Sequence, residues 1–233
     1  MIISKTPYRI SFFGGGSDYP QWYNKYNGSV LSTTIDKHIY ITCRILPKFF
    51  ENKYRIIWSK MESVQSISQI NHPVVKKLLN HLKIKQVLEI HYAGDLPGFS
   101  GMGSSSAFTV GLMNALYCLL NKKISNYDLA KNAIHFEQKI MKEIVGSQDQ
   151  LATAIGGFNK ITFKKKDNFK IISKATNKNI KKLEENLLLI YTGKKRIAQN
   201  VAKKYSNQLT TKSKKYVDLM IQHVLEGEKI IKG

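Results

Sequence analysis

A glycine- and serine-rich stretch, LPGFSGMGSSSAFTVGLMNAL from Leu96 to Leu116, joins a turn directly to an apolar-periodic segment. Gly98, Gly101 and Gly103 let the backbone take positive φ and let a ligand approach the main chain, while Ser104, Ser105 and Ser106 fall at the cap and first turn of the apolar segment. Ala107, Val110, Gly111, Ala115 and Leu116 recur at helical spacing, which predicts a helix from Ser104 to about Leu120. Its first N–H groups and positive dipole end then point back at the turn, and such an end takes up phosphate. A loop that merely starts a core helix has the same glycine spacing; the run of serines favours the anion. No Gly-Lys-Ser/Thr comes after the turn and its glycine order differs from the dinucleotide fingerprint, so neither of those nucleotide motifs accounts for it.

Two carboxylates downstream invite a chemical reading. Ser125 to Asp128 resembles a capping box and opens a second helix to about Val145, with Ala130, Ala133, Ile134, Ile140, Met141 and Ile144 on its apolar face. Glu137 lies three and four residues from several of these. Either it sits inside the stripe and needs a metal ion or a basic partner, or it sits on the margin and is solvated; periodicity leaves both open. Gly146 ends that helix, and Ser147 with Gln150 forms a second capping box for a short helix through Leu151, Ala154 and Ile155, closed by Gly156 and Gly157. Asp149 falls in its first turn, where the dipole favours a carboxylate whether or not it has chemistry to do.

The remaining elements must position these groups. Ile2 to Phe13 reads as a strand running into three glycines, Gly14 to Gly16, after which Ser17 or Asp18 caps a short helix with Pro20, Trp22, Tyr23 and Tyr26. Ser29 to Ile35 and His38 to Leu46 read as a hairpin around Asp36 and Lys37. Tyr54 to Trp58 and Val87 to Tyr92 are expected strands, and Asn71 to Leu82 a helix with Pro73 in its first turn. Phe158 to Phe163 is a further strand leading to a turn at Lys164 to Asn168. Leu187 to Tyr191 reads as a buried strand, followed by a helix from Lys194 with Ile197, Val201 and Tyr205, and by an amphipathic segment with Tyr216, Leu219, Met220, Val224 and Leu225.

Across the 233 residues, 42% are hydrophobic, enough to bury an ordinary core. No window approaches the length of a membrane span and the N-terminus lacks the marks of a signal peptide, so a cytoplasmic protein without a membrane partner is expected. The two cysteines, Cys43 and Cys118, stand far apart and are expected in the core rather than in a metal site or disulfide. Lys and Arg number 37 against 16 Asp and Glu, a net charge of +21. The excess is mostly lysine, scattered over solvated faces that tolerate it freely, which favours a compositional origin, with steering of polyanionic substrates as a by-product and no specific nucleic-acid partner implied.

Three stretches in order, PYRISFFGGGSDY (Pro7 to Tyr19), LPGFSGMGSSSA (Leu96 to Ala107) and VGSQDQLATAIGG (Val145 to Gly157), resemble the GHMP small-molecule kinases. That family includes galactokinase, homoserine kinase and mevalonate kinase. The triple glycine before Ser-Asp-Tyr is most similar to its kinases of D-glycero-D-manno-heptose 7-phosphate, with fucokinase-type enzymes next. The resemblance implies an α+β fold, with a ribosomal S5 domain 2-like, ATP-binding N-terminal domain over residues 1–165 and an incomplete ferredoxin-like C-terminal domain over 166–233. It implies ATP and Mg²⁺, and phosphorylation of the anomeric hydroxyl of a sugar phosphate in the supply of surface polysaccharide. Pro97, Gly98, Gly101, Met102, Gly103, Ser104, Ser105 and Ser106 then match the loop around the ATP phosphates, Ser105 and Glu137 the magnesium site, Asp149 the catalytic base, and Arg9 the cation beside the transferred phosphoryl group. Gly16, Ser17 and Asp18 match the sugar-binding segment, although Gly15 and Gly16 stand where galactokinases carry Glu-His. Lys37 and Arg44 are candidates for receiving a distal phosphate. The further glycine-rich motif that relatives carry in the C-terminal domain does not occur after Gly157, which implies a fragment, a truncated gene product or a divergent member, with uncovered apolar surface expected, nucleotide binding without turnover as an alternative, and a homo-oligomer left open. A basic nucleic-acid-binding module is the remaining alternative, and steeply salt-dependent binding would mark it.

Overall fold

An 18-residue strand, β2 (Gly28–Ile45), is the spine of the sheet. The computed structural model describes residues 1–47, 49–98, 100–174, 178–193, 202 and 205–232, and their architecture is mixed α+β. β1 (Ile2–Phe13) runs antiparallel along one edge of β2. The other edge takes two strands in succession: β6 (Phe158–Lys164) against Gly28 to Thr33, then β5 (Leu88–Gly94) against Ile39 to Ile45. β3 (Tyr54–Ile57), parallel to β5, and β4 (Met61–Val64) extend the sheet on one side, and β7 (Asn168–Lys174) pairs with β6 on the other. Strand order is therefore β4-β3-β5-β2-β6-β7, with β1 on β2.

The hairpin expected around Asp36 and Lys37 is absent, because β2 passes straight through them. A two-residue hairpin turn needs positive φ at its centre, and neither residue adopts it. What the polar pair marks instead is the gap in which β2 changes partner from β6 to β5. The turn after β6 does form, with Lys166 and Asp167 at positive φ. It joins β6 to β7 within one sheet, so the boundary expected at 165/166 falls inside a hairpin.

One face of the sheet is packed by helices. α2 (Pro73–His81) begins with Pro73 after His72, whose Nδ1 accepts the Val75 N–H at 3.4 Å. α3 (Ser104–Leu119) buries Ala107, Val110, Leu112, Met113, Ala115 and Leu116 against Ile39, Ile41, Leu88 and Ile90. α4 (Asn126–His135) is capped by Ser125 Oγ, which accepts the Asp128 N–H at 3.1 Å, as the sequence predicts. It does not continue as α-helix to Val145: residues Phe136–Ile140 form a π turn, and Lys142 at positive φ ends the run. Cys43 is buried as expected, whereas Cys118 faces outward from the end of α3 and is exposed.

α5 (Gln148–Ile155) packs on α3 and α4, and α1 (Pro20–Tyr23) buries Trp22 and Tyr23 completely. α6 (Lys178–Glu185) and α7 (Lys214–Lys232) come next, α7 joining Val224 and Ile231 to Leu31 of β2 and Phe158 of β6 in a small separate core. Leu187 to Tyr191, expected as a buried strand, has no regular structure and is exposed; no strand partner is offered to it among the described residues. Most of the helix expected from Lys194, Ile197 and Val201 included, lies outside the described residues. No helix among the described residues is long and apolar enough to cross a membrane.

Candidate active site

The glycine turn, β1 and the start of α5 meet at one point. Gly103 is the N-cap of α3 with φ +74°, and no side chain caps that helix. The N–H groups of Ser104 to Ser106 are thus left to whatever occupies the turn. A Cβ on Gly103 would lie 3.2 Å from Arg9 Cγ and 3.3 Å from Asp149 Oδ2, so glycine serves both the left-handed backbone and the close approach of those two side chains.

Arg9 and Asp149, 140 residues apart in sequence, form a bidentate pair: Nε to Oδ1 at 2.8 Å and Nη2 to Oδ2 at 2.9 Å. Nη1 of Arg9 donates to the Gly101 carbonyl at 2.9 Å, and its backbone N–H to the Met102 carbonyl at 3.2 Å. The arginine therefore braces the glycine turn while holding the carboxylate. Burial works most strongly against its charge, but Asp149, with Asp18 and Tyr19 adding to it, turns the balance and raises the guanidinium pKa above its ordinary value. Asp149 keeps about a quarter of its side chain exposed, at 25%. Pro97 and Gly98 are exposed, Met102 is half-buried against the main core, and Ser104 is half-buried.

Glu137 sits on the π turn and is 1% exposed, inside the apolar stripe rather than on its margin. Ser106 Oγ donates to its Oε2 at 2.9 Å, and Gln150 Nε2 donates to the same oxygen. Burial, only partly offset by hydrogen bonds from Thr109, Gln150 and Ser106, pushes its pKa up to about 7. Oε1 of Glu137 and Oε1 of Gln150 are both buried without a hydrogen-bond partner. A carboxylate oxygen and an amide oxygen left unsatisfied beside the Ser106 hydroxyl make a hard, all-oxygen donor set, which fits Mg²⁺. Ser105, the serine that the sequence pairs with Glu137, is exposed on the first turn of α3; the hydroxyl that reaches the carboxylate is that of Ser106.

Ser147 and Gln150 do not form the expected capping box. Ser147 Oγ is taken by Tyr23 Oη at 3.2 Å and Gln138 Nε2 at 3.1 Å, and the Gln150 amide is turned to Glu137. Gln150 and Ser106 are the residues whose part in the carboxylate cluster sequence reasoning missed. A signal existed for Ser106, a hydroxyl spaced with Val110 and Met113 on the buried face of α3. Gln150 had none, since its partner lies on another helix.

A cavity of about 530 Å³ opens at the glycine turn, lined by Gly15, Gly16, Tyr19 and Gly101 and by C-terminal residues that include the apolar Leu209, Val217 and Met220 and the hydroxyl-bearing Ser206 and Ser213. Of the segment matched to sugar binding, Gly16 faces this space; Ser17 and Asp18, 0% and 1% exposed, turn into the protein. Lys37 and Arg44 are not in its wall. Arg44 is committed to Glu89 on β5 at 2.8 Å. Tyr19, which sequence reasoning did not single out, lies between the cavity and the pair; burial raises its pKa, with Asp18 and Asp149 adding to the effect.

Residues 69–157, from the approach to α2 through the end of α5, match the family model described as GHMP kinases N terminal domain. The chain belongs to the GHMP kinase family. It is 30% identical over 173 residues to the D-glycero-alpha-D-manno-heptose 7-phosphate kinase of Campylobacter jejuni, across 70% of its own length and 50% of the relative's. This GHMP kinase chain thus spans about half the length of that curated relative. Among solved structures it is similar to a D-glycero-D-manno-heptose 1-phosphate kinase from Bacteriodes thetaiotaomicron, with TM-score 0.68 and 26% identity over 76% of this chain and 61% of that one. The Methanococcus jannaschii mevalonate kinase shares the fold, with TM-score 0.64 and 20% identity over 97% of this chain and 72% of that one.

Proposed function

We propose that this chain carries the active site of an ATP- and Mg²⁺-dependent sugar kinase that phosphorylates the anomeric hydroxyl of a sugar phosphate, with D-glycero-D-manno-heptose 7-phosphate as the sugar. In this reading the sheet, β7 included, and α1 to α5 are the S5 domain 2-like, ATP-binding part, and the segment after β7, from α6 on, begins the ferredoxin-like part. The observation that carries it is the Arg9–Asp149 pair at the uncapped N-terminus of α3, beside a cavity that can admit a sugar. The similar heptose 7-phosphate kinase supports this choice of sugar, and the similar heptose 1-phosphate kinase supports a heptose phosphate without the position of its phosphate.

Transfer of a phosphoryl group depends on positioning and on neutralising charge. The ATP phosphates lie against the N–H groups of Ser104 to Ser106 and the Gly101 to Gly103 backbone. Glu137, Ser106 and Gln150 would hold Mg²⁺, which when bound neutralises phosphate charge. Arg9, paired with Asp149 in the free chain, is drawn toward the arriving γ-phosphate, and the loosened carboxylate becomes available to the sugar. The anomeric oxygen forms a bond to the γ-phosphorus as the bond to the β-phosphate oxygen breaks, releasing ADP, and the hydroxyl proton passes to Asp149.

ADP release from Mg-ATP tests the reading, with heptose 7-phosphate, fucose, galactose and mannose as acceptors and Asp149→Ala alongside. Release with heptose 7-phosphate, lost in the variant while ATP still binds, is expected. Release with another sugar alone would remove the heptose assignment, and ATP binding without any release would leave a nucleotide-binding chain in place of a kinase.

A further inference from the structure

Asp18 is more deeply held than a substrate ligand needs to be. Its Oδ1 accepts the Gly16 N–H at 3.0 Å and its Oδ2 the Gln148 N–H at 3.4 Å. Its own carbonyl accepts the Ser147 N–H at 2.9 Å. The first residues of α5 are therefore threaded onto Asp18. Gly146 makes room for this: a Cβ there would stand 1.7 Å from Asp18 Oδ2. Side-chain capping of α5 from within its own sequence does not occur, because Ser147 Oγ is engaged by Tyr23 and Gln138. The carboxylate from another part of the chain takes that role, accepting an N–H of the first helical residue and placing negative charge at the positive end of the helix.

We infer that Asp18 is a positioning residue for Asp149, joining the Gly14 to Gly16 turn to the start of α5, and is not a sugar ligand. The inference rests on the kinase reading for what Asp149 does, though not for the joint itself. Asp149 follows the clamped Gln148 directly, and through its bidentate pair it also sets Arg9 against the glycine turn. Asp18 is 1% exposed, whereas Asp149 keeps 25% of its side chain open to solvent, and the neighbours of Asp18, Gly16 and Tyr19, are the residues that reach the cavity wall. Burial first and Asp149 second push the Asp18 pKa up to about 6, which agrees with a carboxylate sealed from solvent and facing a like charge. The same joint explains why three residue types occur together in one place: a glycine that can stand without a Cβ, an acid to fill that space, and a second acid just beyond.

Two variants separate a positioning role from a ligand role. Asp18→Asn keeps the volume but presents an amide N–H to a backbone N–H. Gly146→Ala keeps the carboxylate and its charge while its methyl displaces it, and its backbone is outside the positive-φ region, so alanine itself is not strained there. Both should lower kcat by about 10²-fold with the sugar KM within about twofold of the parent, since a misplaced base costs rate rather than binding. Hydrogen exchange read by mass spectrometry should speed up over residues 146–150 in both variants and stay unchanged over α2. A sugar KM raised about tenfold at constant kcat would overturn the inference. So would unaltered exchange over 146–150 in both variants. Should the parent chain release no ADP with any sugar, the kinase reading fails, and the exchange measurement still decides whether Asp18 holds the start of α5. If Asp18→Asn does not fold, Gly146→Ala alone gives the same two readouts.

Discussion

Replacing Glu137 with Gln should stabilise the metal-free chain above pH 7, an unusual outcome for a buried residue held by two hydrogen bonds. Glu137 is 1% exposed, and burial raises its pKa from 4.5 to about 7. Between those values the folded chain holds a proton that the unfolded chain has released. Stability from this group is therefore full below pH 4.5, falls as pH rises through 7, and is gone above it. At about 1.4 kcal/mol per pH unit, ionised Glu137 costs about 3 kcal/mol at pH 8 relative to a neutral side chain of the same shape. Glutamine can still accept from Ser106 and Gln150, and it carries no such slope. The assay is thermal melting at pH 5 and pH 8, with and without Mg²⁺. For a chain of this size the variant should melt roughly 6 to 12 °C above the parent at pH 8 in chelator, with a much smaller gap at pH 5. Added Mg²⁺ should close the gap by stabilising the parent alone, because only the carboxylate offers an anionic ligand. Equal melting points at pH 8, or Mg²⁺ stabilising both chains alike, would refute the reasoning.

The two neighbouring serines should behave differently. Ser106→Ala removes a buried donor from Glu137 and should cost about 1–3 kcal/mol in urea unfolding, whereas Ser105→Ala, on an exposed hydroxyl, should stay within about 0.5 kcal/mol. Gly103→Ala forces a side chain into φ +74° and should cost about 1–2 kcal/mol of stability. Its methyl also presses on Arg9 and Asp149, so ATP affinity measured by calorimetry should fall with it. Leu188 and Ile190 are 82% and 70% exposed; changing both to Lys should reduce self-association in light scattering at high protein concentration and leave the melting point unmoved.

What the sequence made legible is what short-range chemistry decides. Pro73, Ser125 and the spaced glycines mark the starts of α2, α4 and α3 because a cap or a φ angle is settled within four residues. β2 escaped that logic. Asp36 and Lys37 look like a turn to any local rule, yet the strand runs through them because β1 pairs along most of its length on one side while β6 and β5 share the other. The Ser147–Gln150 pattern failed for a related reason: both side chains are competent caps, but Tyr23, Gln138 and Glu137, none of them local, claim them first.

The same division runs through the site. Glu137 was ambiguous because a period of 3.6 residues cannot register one extra residue in a turn, and the π turn that carries Glu137 is such an event. Gly146 read as a helix breaker, yet α4 has already ended at the π turn and Lys142, and its missing Cβ matters because Asp18 fills the space. A residue type can thus be recognised from sequence while its reason is not, whenever the reason is an atom supplied by a distant strand or turn. Arg9 and Asp149 show the converse. Each is ordinary where it stands, one on a strand and one in the first turn of a helix, and only the fold brings the pair to the glycine turn with its uncapped helix end, which no local pattern around either residue could announce.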